Sequence, residues 1–218
     1  MICLVTDRRR LSTGANAVER LMELVSAAVR ARIDLIQIRE RDLDARALTA
    51  LTRRCVAAAE GSSTKVLVND RVDVAIASGA HGVHLRGDSI AAGAARALLG
   101  DAAVIGRSIH SARDAEAAVE GGGVDYLLFG TMYSSASKTP GHPLATVDEL
   151  SAACRAGSPV LAIGGVTIER ATHMAQAGAA GIAGIGLFVP PSATTADRHL
   201  QQVAVELRRV FDTCGAVS

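Results

Sequence analysis

The sequence predicts an α/β protein folded as a single-domain (β/α)8 barrel, and three observations carry that prediction. Short apolar, β-branched runs recur eight times: "ICLVT" (2–6), "DLIQI" (34–38), "KVLVN" (65–69), "GVHL" (82–85), "AVIGR" (103–107), "DYLLF" (125–129), "PVLAI" (159–163) and "GIAGI" (181–185). Between them lie stretches such as "AVERLMELVSAAVRA" (17–31) and "ARALTALTRRCVAAA" (45–59), where apolar residues return every three or four positions, the period of an amphipathic helix. The runs are apolar throughout, which suits strands covered on both faces and hence a parallel sheet wrapped by helices. Eight such units within 218 residues fit a closed barrel. An open doubly wound sheet is the alternative. No linker or composition break divides residues 1–218, so one domain is expected.

The element ends agree with this division. "SARDAEAAVEGG" (111–122) opens on Ser111, a residue suited to an N-cap, and closes on glycines suited to a helix stop. Hydrophobic residues make up 49% of the chain and aromatics only 2%, with no Trp. The core is therefore expected to be built from Ala, Val, Leu and Ile. Net charge is +1 with acids and bases interspersed, which argues against nucleic acid as the main partner. No apolar run approaches the roughly 20 residues that cross a bilayer. "MICLVTDRRR" places its charges after its apolar run, the reverse of a secretory signal. Cys3, Cys55, Cys154 and Cys214 are scattered without metal or disulfide spacing. A cytoplasmic protein with reduced thiols is expected.

In a (β/α)8 barrel, chemistry gathers at the C-terminal ends of the strands. The polar residues of this chain are concentrated there: "QIRER", "NDR", "HLRGD", "GRSIHS", "GGV" and "AGIG" each close a run. Gln37 and Arg39 are two apart and share a strand face, with Arg41 just beyond. Inward guanidiniums need an anion between them, and their forks match phosphate oxygens. A solvated "RERD" charge cluster is the other reading of this stretch. Asp70 and Asp88 follow neighbouring strands and make a hard oxygen environment suited to Mg²⁺; each could instead cap the next helix. The glycines of "IGGV" and "GIAGIGLF", Gly164, Gly165, Gly184 and Gly186, would let backbone N–H groups approach a phosphate, or serve helix–strand packing. Ser108 and His110 could polarise a substrate or exchange protons with it, although His110 could also be a hydrogen-bonded wall residue. His84 is expected to pack within the barrel. In "GTMYSSASKTPGH" (130–142), Ser135, Ser137 and Lys138 can offer two hydroxyls and a cation to phosphate oxygens, and the loop could close as a lid.

Taken together, "LVTD", "QIRER", "VNDRVDVA", "GVHL", "GRSIHS", "DYLLFG" with its following S-x-S-K, and "AIGGV" resemble the thiamine phosphate synthase family and its thiazole tautomerase relatives, from residue 2 to about residue 188. The resemblance implies a Mg²⁺-dependent transferase that joins hydroxymethylpyrimidine pyrophosphate to a thiazole phosphate and releases pyrophosphate. By position it makes Gln37, Arg39, Arg41 and Asn69 substrate-binding residues, Asp70 and Asp88 the metal carboxylates, and Ser108 the serine near the reacting pyrimidine. Ser135, Ser137 and Lys138 then match the pyrophosphate loop, with Ser108, Lys138 and Arg39 in catalytic roles. Gly164 and Gly165 match the thiazole-phosphate cradle.

The sequence departs from that pattern at Arg41 (usually lysine), at Thr131 (usually proline), at Gly186 (usually serine) and at Arg86 within "HLRG". Some phrases lean toward the tautomerase relatives, which work without metal, yet those usually carry a histidine at position 131 and lack the two aspartates. A non-catalytic phosphate-binding barrel is a third reading. The expected partners are phosphorylated small molecules, with neither nucleic acid nor membrane, and assembly into a homo-oligomer is left open.

Overall fold

Eight parallel strands close into a barrel in sequential order, each neighbouring the next and β8 returning to β1. The computed structural model describes residues 1–134 and 143–215. The strands are β1 (Ile2–Val5), β2 (Leu35–Ile38), β3 (Lys65–Asn69), β4 (Gly82–Leu85), β5 (Val104–Ile109), β6 (Tyr126–Phe129), β7 (Val160–Ile163) and β8 (Gly181–Gly184). The helices are α1 (Ala17–Arg30), α2 (Ala45–Ala59), α3 (Val72–Ser78), α4 (Ala92–Leu99), α5 (Ala112–Glu120), α6 (Val147–Cys154), α7 (Ile168–Gln176) and α8 (Ala196–Gly215). Short 3-10 turns follow β1 (Arg8–Arg10) and β8 (Gly186–Phe188). All eight apolar runs are strands, and the open doubly wound sheet is excluded by the β1–β8 ladder.

Strand alternation divides the core into two layers. Outward residues such as Leu4, Ile36, Val68, Leu127 and Ile182 pack against the helices. Inward residues Cys3, Val5, Leu35, Leu67, Tyr126, Leu128, Leu161 and Ala183 fill the barrel. The runs look continuous because both faces are covered, not because the period is lost. Bulky fully buried aromatics are few, Tyr126, Phe129 and Phe188, as the composition requires.

Local chemistry starts the helices. Asp44 accepts from Ala47 N at α2, Ser111 from Asp114 N at α5, and Thr167 from Arg170 N at α7. Thr146 and Glu149 form a reciprocal capping box at α6. Asp70 and Asp88 cap nothing: the N-cap positions of α3 and α4 are Arg71 and Ala91. The capping alternative for both carboxylates is thereby removed. Among the described residues, no helix is long and apolar enough to cross a membrane.

Candidate active site

At the C-terminal mouth of the barrel lies a cavity of about 1190 Å³, lined by residues from all eight strand ends or the segments after them. Gln37, Arg39, Arg41, Asn69, Asp88, Ser108, Gly164, Gly165, Gly184 and Gly186 all line it. Residues separated by up to 149 positions thus share one wall. Ser135, Ser137 and Lys138 lie outside the described residues. Asp70 stands one step behind the wall.

The "RERD" stretch splits into two functions. Glu40 is buried and accepts hydrogen bonds from Thr6 Oγ1 (2.7 Å) and the Arg8 backbone (3.1 Å), while pairing with the Arg8 guanidinium at 2.9 Å. Asp42 takes the other side of Arg8, at 2.7 Å. These acids anchor the β1 and β2 loops to each other. Arg39 and Arg41 receive no ion pair among the described residues, and both line the cavity. Burial, with the neighbouring Arg41 charge adding to it, pushes the Arg39 guanidinium below its ordinary range. Two adjacent cations that lack an ion pair among the described residues make an anion site.

Gln37 is almost fully buried, and its Nε2 donates to Asn69 Oδ1 at 2.8 Å. Its Oε1 has no hydrogen-bond partner among the described residues. An unmet buried acceptor costs about 1–3 kcal/mol, so this oxygen is set for a donor that arrives with a ligand.

Arg86 holds both carboxylates. Its guanidinium pairs with Asp88 Oδ2 at 2.5 Å and with Asp70 Oδ2 at 3.6 Å, and its backbone N–H donates to Asp70 Oδ1 at 3.3 Å. Asp70 and Asp88 therefore face one side of the mouth. Asp70 is in the left-handed region at φ 62°, a conformation that Asp tolerates better than most residues and that tends to mark working sites. The donor set tests well for a hard divalent ion: two carboxylates on adjacent loops, beside an anion site. The cation between them is a half-exposed arginine. Arg107, below, clamps the same loop by donating to the Ile90 and Gly87 carbonyls at 2.9 and 2.8 Å.

The four glycines separate into two classes. At Gly164 (φ 105°) an added Cβ would strike Thr131, and at Gly165 (φ 58°) it would sit 2.6 Å from Ser134 O. These two pack closely against the segment after β6 while also lining the cavity. A Cβ on Gly184 would make only ordinary contacts, and one on Gly186 would approach Arg10 Nη1 at 3.8 Å. These two leave room in the cavity. Arg170 secures the region by donating to Gly165 O at 2.7 Å and lying 4.4 Å over the Tyr133 ring. His110 is a wall residue, its Nδ1 2.6 Å from Gly130 O.

Inside the barrel, His84 packs as expected, but with more structure than a packing role needs. Its Nδ1 lies 3.0 Å from the Tyr126 hydroxyl and its Nε2 2.9 Å from Ser108 Oγ. Burial pushes this imidazole down to about 3, so it is neutral near pH 7. An unfolded histidine takes its proton near pH 6.5. Stability is therefore complete above that pH and is lost as pH falls toward about 3. Each pH unit in that window costs up to about 1.4 kcal/mol. Chemical denaturation from pH 7 to pH 4 should show this slope, and His84→Gln should remove it. An unchanged slope in the variant would assign it elsewhere.

Sequence reasoning missed Arg10, Arg107, Arg170 and Tyr126. The "DRRR" cluster after β1 was the available signal for Arg10, and a lone polar aromatic in an inward run was the signal for Tyr126.

Comparison with known proteins agrees with this geometry. The chain is 34% identical over 208 residues to a thiamine-phosphate synthase of Roseiflexus castenholzii, covering 94% of this chain and 89% of that protein. It is 37% identical over 188 residues to a putative thiamine-phosphate synthase of Geobacter sulfurreducens, covering 85% of each. The structure of thiamine phosphate pyrophosphorylase from Pyrococcus furiosus superposes with a TM-score of 0.79 at 24% identity, over 98% of this chain and 96% of that one, which shows a shared fold. The thiamine monophosphate synthase family model matches residues 2–188, nearly the whole barrel, and the chain belongs to that family.

Proposed function

We propose that this barrel, as one domain spanning residues 1–218, couples hydroxymethylpyrimidine pyrophosphate to a thiazole phosphate, forming thiamine monophosphate and pyrophosphate. The observation that carries the reading is the pair Arg39 and Arg41, without an ion pair among the described residues and lining the same cavity as Asp88, while Arg8 takes the acids of the same stretch. An anion with several charges fits there. Mg²⁺, when bound by Asp70 and Asp88, would supply further neutralisation of pyrophosphate oxygens. Arg86, which pairs with both carboxylates, would have to release them for a metal to bind there.

In chemical terms, the bond between the pyrimidinyl methylene carbon and the pyrophosphate oxygen breaks, and its electron pair leaves with pyrophosphate. The thiazole nitrogen then donates its lone pair to that carbon. Arg39 and Arg41 hold the departing charge, and Lys138, Ser135 and Ser137, which lie outside the described residues, are proposed to bind it as well. Gln37 Oε1 accepts from the amino group of the pyrimidine, and Ser108 donates to the ring. The thiazole phosphate lies by Gly184, Gly186 and the start of the 3-10 turn at Gly186, alongside Gly164 and Gly165, within reach of Arg10. No enzyme nucleophile is required. The rate comes from placement and electrostatics.

Incubation with both substrates and Mg²⁺ should yield thiamine monophosphate by mass spectrometry, and no product would sink the reading. One observation favours a second reading: Arg86 already satisfies both carboxylates, as a metal-free thiazole tautomerase would allow. Turnover of a thiazole carboxylate phosphate in excess EDTA, without coupling activity, would select it.

A further inference from the structure

Ser108 could meet a ligand either as a hydrogen-bond donor or as an acceptor, and the buried residues beneath it decide which. Ser108 sits on β5, His84 on β4 and Tyr126 on β6. Gly106 lies between them, two positions before Ser108 and in register with both His84 and Tyr126. Having no side chain, Gly106 lets the Tyr126 ring cross β5: an added Cβ would fall on that ring. The phenol thereby reaches a histidine two strands away, and the same imidazole reaches Ser108 with its other nitrogen.

Three hydroxyl and imidazole groups in a row can distribute their protons in few ways. Among the described residues, Tyr126 Oη has one hydrogen-bond partner, His84 Nδ1, and both side chains are buried. If Nδ1 carried the imidazole proton, it would donate to the phenol oxygen, and the phenol's own proton would be left without an acceptor in the core. Such an orphan costs about 1–3 kcal/mol. A doubly protonated ring strands the same phenol proton and adds a buried charge. The remaining arrangement satisfies every group: the phenol O–H donates to Nδ1, and Nε2–H donates to Ser108 Oγ. The serine oxygen is then an acceptor toward the barrel, and its proton is left to face the cavity.

We propose that Tyr126 and His84 are positioning residues that fix the Nε2–H tautomer and so present the Ser108 hydroxyl proton to a ring-nitrogen acceptor of the ligand. This rests on the reading of Ser108 as a ligand contact, but the proton arrangement itself is a property of the free protein. A ligand offering an acceptor at that point is favoured over one offering only a donor, because Nε2–H already occupies one lone pair of the serine oxygen while the serine proton faces the cavity. A preference for an unprotonated heteroaromatic nitrogen follows.

The test begins without substrate. In protein labelled with ¹⁵N-histidine, with the His84 signals assigned by their loss in His84→Gln, nitrogen–proton correlation spectra should show Nε2 protonated and Nδ1 as an unprotonated acceptor. The reverse pattern, or rapid averaging of the two, overturns the proposal whatever the enzyme proves to catalyse. A kinetic cycle then reads the consequence. Tyr126→Phe should lower kcat by about tenfold, within the range found when a residue that orients a contacting group is lost, with KM for the phosphorylated substrates unchanged. In a Ser108→Ala background the same change should have no further effect, because Tyr126 acts through the serine. A tenfold loss that persists without Ser108 would mean a merely structural role and would refute the relay. Absence of coupling activity with the expected tautomer present would instead count against the synthase reading and leave the proton arrangement standing.

Discussion

Asp70→Asn is expected to lower kcat for thiamine monophosphate formation by about a hundredfold or more, the scale seen when one preorganised electrostatic contact is removed. The substitution is nearly isosteric, and Asn tolerates the left-handed φ of 62° at this position as readily as Asp. The loop geometry should therefore survive, and the loss should be chemical. What disappears is one of the two charges that Arg86 now neutralises and that Mg²⁺ would take over. Initial rates across a Mg²⁺ titration should show both a lower plateau and a higher half-saturating concentration. Turnover and magnesium dependence identical to the parent protein would remove Asp70 from the site.

The second large effect is on stability. Gly106→Ala should destabilise the barrel by about 2–4 kcal/mol, at or beyond the upper end of ordinary overpacking. The added methyl group falls on the Tyr126 ring, which is fully buried at the barrel axis and cannot retreat into solvent. Either the ring rotates and breaks its hydrogen bond to His84, or β5 shifts against its neighbours. For a chain of this size the loss corresponds to a melting temperature lower by roughly 5–15 °C, measurable by circular dichroism. A melting temperature within a degree or so of the parent would mean that the interior has slack where the structure shows none.

The two experiments probe different links of one chain. Asp70 is placed by a loop and tests the chemistry at the mouth. Gly106 is placed by a strand and tests the packing beneath it, on which the orientation of Ser108 depends. A Gly106→Ala protein that folds but turns over slowly would connect the two.

The residues themselves determined the barrel. Eight apolar runs at regular spacing, separated by helical periods, leave little else for the chain to do, since each run must be covered on both faces. The second helical stretch, residues 45–59, is α2 residue for residue. The clustering of polar residues at the run ends was equally legible, because strand direction in a parallel barrel sends every C-terminal end to one mouth.

What the tertiary structure alone decided is which of those polar residues are spoken for. The letters "RERD" do not reveal that Arg8, 32 positions from Glu40 in sequence, satisfies both acids and leaves Arg39 and Arg41 to the cavity. Nor do they reveal that Arg86 bridges Asp70 and Asp88, or that Gly106 is the gap through which Tyr126 reaches His84. Periodicity reports which face a residue occupies. Hydrogen-bond and charge partnership depends on register between strands and on loops that meet only when the barrel closes, and no spacing along the chain encodes it.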